Sequence, residues 1–390
     1  MSVARGALIL ALCALAGCGG GGGGSVSNQI AGGATPSSRT FAPNTVNGQS
    51  PVSAQSTHYS NRLVVIPQCI VSTAYLNDTD NIAGNAFCGQ GEPSVPTAFL
   101  YNGSVTAEVA NVTVTSFSDS NVAVGFALAN DGTVKAVFFT GGCTSIPDLP
   151  GYASPFAFGV NAQSEVAGAT QNAAGTKWSA FVSQNGVTRA YGSTDTTFQS
   201  YGWRINDNGA VLGVVWNGTS SSIVLFTSPQ TFTTIATAAA PYNAVVPQNN
   251  TSFLQPAALN NAGHAIYLKA TSSTQNAFGT TFYAYAAYFY NGSTSVKIPV
   301  PQPDVTVAML NNSDEALLQG CTTEANLQPA TCTSYIYGNG KVTPLAALVP
   351  SEASATVPVA LNNKGQILLF DNIYVNVYDL LTPISAEPPV

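Results

Sequence analysis

Charged side chains are scarce in this sequence: Asp, Glu, Lys and Arg make up 7% of the 390 residues, against about 25% in an average soluble protein. The 18 acidic residues outnumber the 11 Lys and Arg residues, so the formal net charge is −7. Too few cations are present to form a basic patch, which argues against nucleic-acid binding. Long amphipathic helices need charged faces, so the composition favours an extracytoplasmic protein built of β-strands.

Histidine and the common catalytic motifs are nearly absent. His58 and His264 are the two histidines, and no Cys-x-x-Cys or Gly-x-Ser-x-Gly element occurs. Residues 78–81 and 207–209 resemble pieces of calcium loops, but neither forms a complete loop with a distal Glu. We therefore predict no catalytic residue, no metal site and no cofactor. His264 is interpreted as an exposed or hydrogen-bonded strand residue.

The first 17 residues have the pattern of a secretory signal peptide. Arg5 supplies the positive charge, and residues 7–16 form an apolar run about half as long as a membrane span. Leu15-Ala16-Gly17-Cys18 resembles the bacterial lipobox. That resemblance implies cleavage before Cys18 and lipidation of this cysteine, and Gly19 after it resembles outer-membrane sorting. An ordinary signal peptide is the alternative.

The lipobox resemblance also sets the expected domain organisation and location. Residues 1–17 are the signal peptide, and residues 18–57 are rich in Gly, Ser, Asn, Pro and Thr, which is typical of a flexible tether. Residues 58–385 form the folded domain. We expect a monomer that is lipid-anchored in a bacterial cell envelope, at the outer membrane, with the membrane as its first partner.

A hairpin pattern recurs seven times in the folded part of the chain. Each copy has an apolar run, an anchor residue that is usually Asn, a polar turn and a second apolar run, as in Trp203–Gly213. The seven anchor residues are Asn77, Ser118, Asn161, Asn206, Asn260, Asn311 and Asn362. Their spacing of roughly 40–50 residues indicates a repeat architecture.

Each repeat unit contains four strand-like segments. The hairpin is followed by an apolar-aromatic strand such as Thr97–Tyr101, a second turn that is often Asn-Gly, and a final strand such as Val342–Leu345. Asn-Gly supplies the positive φ angles of a type I′ turn. Four antiparallel strands match one β-propeller blade. We predict an all-β propeller of seven blades, with six or eight as alternatives, in which strand 62–67 completes the C-terminal blade.

The repeat units resemble the bacterial HAF-type extracellular repeats over about residues 70–370. The resemblance rests on a Leu/Ile-Asn-Asn/Asp-x-Gly-x-Ile/Val-x-Gly hairpin alternating with an Ala-Phe-Leu-Tyr-x-x-Gly strand. The His that precedes Ala-Phe in that family is replaced here by residues such as Thr97 and Ser179. The family has no single assigned activity, so the resemblance implies the fold and an extracellular location.

Seven cysteines are present, and five of them remain after Cys13 and Cys18 are assigned to the N-terminal region. An exported protein meets an oxidising environment. Cys69 and Cys88 are symmetric about the first hairpin turn, and Cys321 and Cys332 flank an excursion in unit six, so we predict these two disulfides. Cys143 is left as a buried free thiol. Metal binding or nucleophilic catalysis by the cysteines is the alternative.

Few residues suggest a binding site. The residues before the anchors are apolar and predict packing between blades, with Arg204 as the one charged neighbour, and no pair of carboxylates suited to acid/base chemistry can be assembled. Tyr283 and Tyr285 share one face of a strand and are candidate binding aromatics. The insertion 271–280 is the candidate binding loop, and the three Trp residues are assigned to the core.

These observations favour a non-enzymatic binding or scaffold protein whose partner is an envelope protein or a glycan held on loops at one face. The first alternative is a glycan-active hydrolase or lyase on a propeller fold. The second is a structural component of envelope assembly. Two or more carboxylates beside an Arg or His at the channel mouth would favour the enzyme.

Overall fold

The computed structural model describes residues 59–66, 70–88, 95–129, 132–192, 197–240, 242, 252–275, 281–322, 331–349, 356–371 and 377–384. These residues form seven four-stranded antiparallel sheets arranged as a seven-bladed β-propeller. The innermost strand of each sheet lines the central cavity, and it is the first strand in chain order in every blade except the one that the N-terminal strand completes. The all-β prediction and the count of seven blades are both confirmed.

The first four blades follow strand β1 (Tyr59–Val65) along the chain. Blade 1 comprises β2 (Ile70–Leu76), β3 (Ile82–Cys88), β4 (Val95–Tyr101) and β5 (Val105–Ala110), and blade 2 comprises β6 (Val112–Phe117), β7 (Ala123–Leu128), β8 (Val134–Phe139) and β9 (Cys143–Ser145). Blade 3 comprises β10 (Tyr152–Val160), β11 (Val166–Asn172), β12 (Trp178–Gln184) and β13 (Val187–Tyr191), and blade 4 comprises β14 (Gln199–Ile205), β15 (Val211–Trp216), β16 (Ser221–Ser228) and β17 (Thr231–Ala238).

The last three blades include the longest strands. Blade 5 comprises β18 (Leu254–Leu259), β19 (Ala265–Gln275), β20 (Thr281–Tyr290) and β21 (Ser295–Lys297), and blade 6 comprises β22 (Asp304–Leu310), β23 (Ala316–Cys321), β24 (Cys332–Gly338) and β25 (Lys341–Pro344). The short helix α1 (Leu345–Leu348) precedes blade 7, which comprises β26 (Thr356–Leu361), β27 (Ile367–Asp371), β28 (Val377–Pro383) and the N-terminal β1.

Strand β1 closes the ring. It pairs antiparallel with β28, from Tyr59 opposite Pro383 to Val65 opposite Val377, and is the outermost strand of blade 7. The blade therefore takes three strands from the C-terminal end of the chain and one from the start of the folded domain. Joining distant parts of the chain in one sheet removes the open seam between the first and last blades, and it confirms the predicted closure.

Burial patterns explain why these segments form strands at these places. A second strand such as β15 is buried along its whole length because blades pack against both of its faces, whereas the outermost β5 alternates half-buried and exposed residues. The apolar residues preceding the anchors, such as Leu76 and Ile205, belong to clusters that join neighbouring blades. Packing between blades is thus confirmed for these positions.

Aromatic residues fill the core between blades 3, 4 and 5. Tyr201 is 1% exposed and lies among Phe158, Trp178 and Trp203, with ring centroids 5.0–6.3 Å away. Trp216 is also buried in this cluster. The assignment of the three Trp residues to the core is confirmed.

Second strands of blades 1 to 4 contain a glycine where the backbone leaves no room for a side chain. A Cβ at Gly168 would collide with the Phe156 carbonyl oxygen and lie 2.6 Å from Cζ of Phe181. Gly84 and Gly213 face the same two kinds of neighbour, a carbonyl of the first strand and a Phe ring of the third. The final Gly of the hairpin motif and the Phe of the Ala-Phe motif therefore fit together as one packing unit.

The two faces of the ring differ in their connections. Five residues join the first and second strands of every blade, as at 77–81 and 362–366, and these turns all lie on one face, which we call the turn face. The connections between second and third strands, and those between blades, emerge on the opposite face, which we call the loop face. Variation in connection length is concentrated on the loop face.

The turns on the turn face have the geometry that their residues favour. The fourth residue of each five-residue turn has φ between 60° and 78°, the left-handed region adopted most readily by Gly, Asn and Asp. Both residues of Asn185-Gly186 and Asn339-Gly340 have positive φ, as the type I′ prediction requires. In Asn102-Gly103 and Asn291-Gly292 only the Gly does, so the type I′ prediction is wrong for those two turns.

The predicted disulfide between Cys321 and Cys332 is present, and the expectation that Cys143 is a free thiol is wrong. Cys321 and Cys332 are joined at the ends of β23 and β24, with their Cα atoms 4.0 Å apart. Cys143 is not a free thiol, because it is disulfide-bonded. The predicted Cys69–Cys88 disulfide involves Cys69, which lies outside the described residues, as does the lipidation residue Cys18.

Candidate functional site

The anchor residues hold each turn and join it to the next blade. The side-chain oxygen of Asn206 accepts hydrogen bonds from the backbone nitrogens of Asn208 at 3.1 Å and Ala210 at 2.9 Å. Its Nδ2 donates to the carbonyl oxygen of Asn260 in blade 5 at 2.9 Å. Equivalent bonds to the next anchor are made by Asn77, Asn161, Asn260 and Asn362. The anchors are buried structural residues.

A second ring of hydrogen bonds lies one residue further along each turn. We call these seven residues the rim ring: Asp78, Asp119, Ala162, Asp207, Asn261, Asn312 and Asn363. At six junctions the backbone nitrogen of one rim residue donates to the side-chain oxygen of the next, at 2.7–3.0 Å. The seventh junction lacks this bond because Ala162 has no side-chain oxygen. These hydrogen bonds thus join successive blades at six of the seven junctions of the ring.

The rim ring brings together carboxylates that are far apart in the sequence. Asp78 and Asp119 lie side by side, and Asp207 is close enough to affect Asp119. The pKa of Asp119 is raised, mainly by burial and further by the charges of Asp78 and Asp207, although the hydrogen bond from the Asp78 backbone opposes the shift. No pair of carboxylates suited to acid/base chemistry could be assembled from the sequence, because equivalent positions in neighbouring blades become adjacent only when the ring closes.

Beneath the rim ring lies a cavity of about 270 Å³ in the central channel. Its wall is a belt of the apolar residues that precede the anchors: Leu76, Phe117, Val160, Ile205, Leu259, Leu310 and Leu361. Tyr75 and Arg204 add polar groups to this wall. The cavity therefore has an acidic mouth, an apolar wall and one cation.

Arg204 is half-buried and is held by backbone atoms and an aromatic ring. Its Nη1 donates to the carbonyl oxygens of Phe158 at 2.6 Å and Trp203 at 3.1 Å, and its Cζ lies 4.8 Å from the centre of the Trp203 ring. Burial lowers the pKa of Arg204, which nonetheless stays protonated at neutral pH. A register shift between Gly202 and Arg204 marks a bulge in strand β14 at this point.

His264 is hydrogen-bonded between two blades, in agreement with its predicted role. Its Nδ1 lies 2.8 Å from Oδ1 of Asp314, and the same oxygen accepts a bond from Asn260 Nδ2 at 2.7 Å. The Phe289 ring packs edge-on against the imidazole at 5.7 Å. These contacts join blades 5 and 6 near the turn face.

The two candidate binding tyrosines differ in exposure. Tyr285 is 1% exposed, and its hydroxyl group donates to the Ser252 carbonyl oxygen at 2.7 Å and accepts from Gln255 at 2.8 Å. It is a core residue whose ring is not offered to a partner. Tyr283 is half-buried on the loop-face half of β20, 6.0 Å from the Phe253 ring. Tyr283 is thus the one of the pair that reaches the surface.

Two further features of the described residues concern metal ligation and membrane spanning. Within the described ranges, no group of three His, Cys, Asp or Glu side chains is placed to hold a metal ion. The helical content of the same residues is the four-residue α1, and no described helix is long and apolar enough to cross a membrane.

Comparison with solved structures shows the fold. The chain resembles the Pyrococcus horikoshii acylaminoacyl peptidase at 10% identity, with a TM-score of 0.50 over 82% of this chain and 52% of that one. It also matches a prolyl endopeptidase at 9% identity (TM-score 0.47, 71% of this chain and 42% of that one) and the polysaccharide lyase Uly1 at 8% (TM-score 0.45, 86% and 94%). The chain spans about half the length of the two peptidases.

Sequence comparison adds no family. No protein-family model matches the chain, and no curated protein matches it. At these identities the structural likeness shows a propeller fold, which is shared by proteins of unrelated activity.

Proposed function

We propose that this protein is a lipid-anchored, extracytoplasmic scaffold that binds an envelope protein or a glycan on its loop face and does not catalyse a reaction. The observation that supports this most is the separation of the two faces. The turn face carries five-residue turns of constant length and the short turns between third and fourth strands, whereas the loop face has connections that differ widely in length around a rigid ring. Binding residues are commonly placed on loops that a rigid scaffold positions.

The β19–β20 hairpin is the most extended feature of the loop face. Its strands have 11 and 10 residues, and its outer part exposes Thr271, Ser272 and Ser273 beside the half-buried Tyr283. A tyrosine ring flanked by hydroxyl groups suits contact with a sugar or a polar protein surface. The longest connection within a blade joins β23 and β24 in blade 6, the blade next to this hairpin. The disulfide between Cys321 and Cys332 fixes the two ends of that connection.

Binding can be tested with the full-length protein and a matched pair of variants. Purified wild-type protein is used to capture partners from solubilised cell envelope, and its binding to glycans is measured on an array. We expect one saturable partner, lost in Tyr283→Ala but retained in Ser313→Ala, which changes an exposed residue of the turn face. Retention that is equal in both variants would contradict a loop-face site.

Anchoring has its own test. Metabolic palmitate labelling should be abolished by Cys18→Ala, and the variant should leave the membrane fraction. Labelling that survives this substitution would contradict the lipid anchor.

A glycan-active enzyme is the second candidate, because Asp78 and Asp119 are adjacent and share the cavity with Arg204. Paired carboxylates are the usual groups for acid/base cleavage of glycans. Against this role, both carboxylates accept a backbone N–H from the preceding rim residue. Polysaccharide turnover by the wild type that Asp119→Asn abolishes would establish the enzyme and overturn the scaffold proposal.

A further inference from the structure

Arg204 is a cation without a counter-ion in the central cavity. Its two hydrogen bonds are both made by Nη1 to carbonyl oxygens. The three ion pairs among the described residues are Arg62–Asp80, Lys135–Asp148 and His264–Asp314, so Arg204 has no carboxylate partner there. The Nε and Nη2 donors of the guanidinium group are left for another molecule.

Because Arg204 is half-buried, its unpaired charge costs free energy unless an anion binds to the guanidinium group. Taking a charge out of water costs free energy, which an opposite charge at hydrogen-bond distance recovers. The pKa of Arg204 is lowered by burial, which is the sign of such desolvation. A planar guanidinium group with free N–H donors fits a carboxylate in a two-point contact.

Tyr75 offers a second donor in the same cavity. The contact of its hydroxyl group with the Val114 carbonyl oxygen is 3.5 Å long, which is too long for a strong bond. Burial raises the pKa of Tyr75, and the charge of Arg204 acts in the opposite direction and lowers it. The two groups are therefore within electrostatic reach of each other across the channel. A carboxylate between them would meet donors from both sides.

The mouth of the cavity has the opposite charge. Asp78, Asp119 and Asp207 surround the entrance on the turn face. A simple anion would be repelled here. Arg204 contacts the carbonyl oxygens of Phe158 and Trp203, each three residues before an anchor, whereas the rim residues follow the anchors. The two charged regions are therefore separated along the channel axis.

We propose that the central cavity binds an extended zwitterion, with its carboxylate on Arg204 and Tyr75 and its ammonium group among the rim carboxylates. The apolar belt between the two ends suits a chain of methylene groups. At about 270 Å³ the cavity is near the lower end of ligand-pocket volumes, so the ligand is a small molecule. This site is on the turn face and does not depend on a loop-face partner.

Isothermal titration calorimetry of the full-length protein tests this with three probes of equal length: 6-aminohexanoate, hexanoate and hexylamine. Fluorescence of Trp203, whose ring contacts Arg204, provides a second readout. The wild type should bind 6-aminohexanoate at least tenfold more tightly than hexanoate or hexylamine. The control Arg189→Gln, at an exposed arginine of β13, should bind as the wild type does.

Arg204→Gln should weaken 6-aminohexanoate binding at least tenfold, since a charge-assisted two-point contact is lost. Asp78→Asn should weaken it several-fold and is expected to fold, because Asn already occupies the rim ring in three blades. It therefore keeps the test valid if Arg204→Gln does not fold. The proposal is overturned if the wild type does not bind 6-aminohexanoate, if hexanoate or hexylamine binds equally well, or if both variants bind it unchanged.

Discussion

Asn206→Ala tests whether the anchor residues stabilise the ring. Truncation removes the two turn bonds of 3.1 and 2.9 Å and the 2.9 Å bond to the carbonyl group of Asn260 in the next blade. Asn206 is 4% exposed, so the backbone groups that it binds do not become fully hydrated when its side chain is removed. The backbone bond from Gly209 to Asn206 remains, and the turn should keep its course.

The expected cost follows from the number of bonds. Three hydrogen bonds at about 1 kcal/mol each give about 3 kcal/mol. Larger penalties apply to fully buried unsatisfied groups, but the neighbouring Asn208 is exposed and water can reach the turn, so the lower value applies. This corresponds to roughly a 100-fold change in the unfolding equilibrium and to a fall in Tm of about 4–5 °C for a domain of this size.

Urea denaturation followed by tryptophan fluorescence measures this change. Asn217→Ala is the matched control, because the Asn217 side chain also accepts two backbone N–H groups, from Thr219 and Ser220, but makes no bond to another blade. We expect the control to lose about 2 kcal/mol, by the same count applied to its two backbone bonds. Equal losses in the two variants would show that the bond between blades contributes nothing, and a loss below about 1 kcal/mol for Asn206→Ala would refute the structural role of the anchors.

Three further changes test other parts of the structure. Gly168→Ala should lower the free energy of unfolding by about 3 kcal/mol through overpacking. The control Gly142→Ala, which has open space around its Cβ position, should change it by less than about 0.5 kcal/mol. Equal effects of the two substitutions would contradict the close packing at Gly168. Because the pKa of Asp119 is raised, its burial penalises the folded state increasingly as pH rises through that pKa. Asp78→Asn removes one cause of the shift, so its stability relative to the wild type should increase from pH 3 to pH 7, and a pH-independent difference would contradict the coupling. Ser118→Asn should add the anchor bonds that blade 2 lacks and raise stability by about 1 kcal/mol, and no gain would show that blade 2 cannot accept the standard anchor.

The architecture could be predicted from the sequence because each blade repeats its own turn chemistry. An Asn followed by a polar turn with a left-handed fourth residue is a local feature, and its recurrence at Asn77, Asn161 and Asn362 gave the number of blades and their order. The closing strand was found in the same way, since unit seven lacked a fourth strand and residues 62–67 resembled one. Both inferences depend on local patterns alone.

The rim ring could not be predicted because its bonds join different blades. Asp78, Asp119 and Asp207 each look like ordinary turn residues, and only the closed ring places equivalent turn positions next to one another. A signal was present in hindsight: the residue after the anchor is Asp or Asn in six of seven units, with Ala162 as the exception. Turn propensity explains the anchors, but it does not require an acceptor at the next position as well.

The cavity residues escaped prediction for a related reason. Arg204 is the one charged neighbour of the anchors in the sequence, but only the folded structure shows that none of the ion pairs among the described residues involves it. Tyr283 and Tyr285 share one side of a strand, yet the hydroxyl of Tyr285 is held in the core by Ser252 and Gln255, whereas the half-buried Tyr283 ring packs on Phe253. Burial within a blade depends on neighbours that strand periodicity does not reveal.

The most direct test of the scaffold account is photo-crosslinking in living cells from one residue on each face. A photoreactive amino acid replaces exposed Ser273 on the loop face or exposed Ser313 on the turn face of the full-length protein. The account predicts a discrete covalent adduct from position 273 and none from position 313. An adduct from position 313 alone, or from neither position, would contradict a partner held on the loop face.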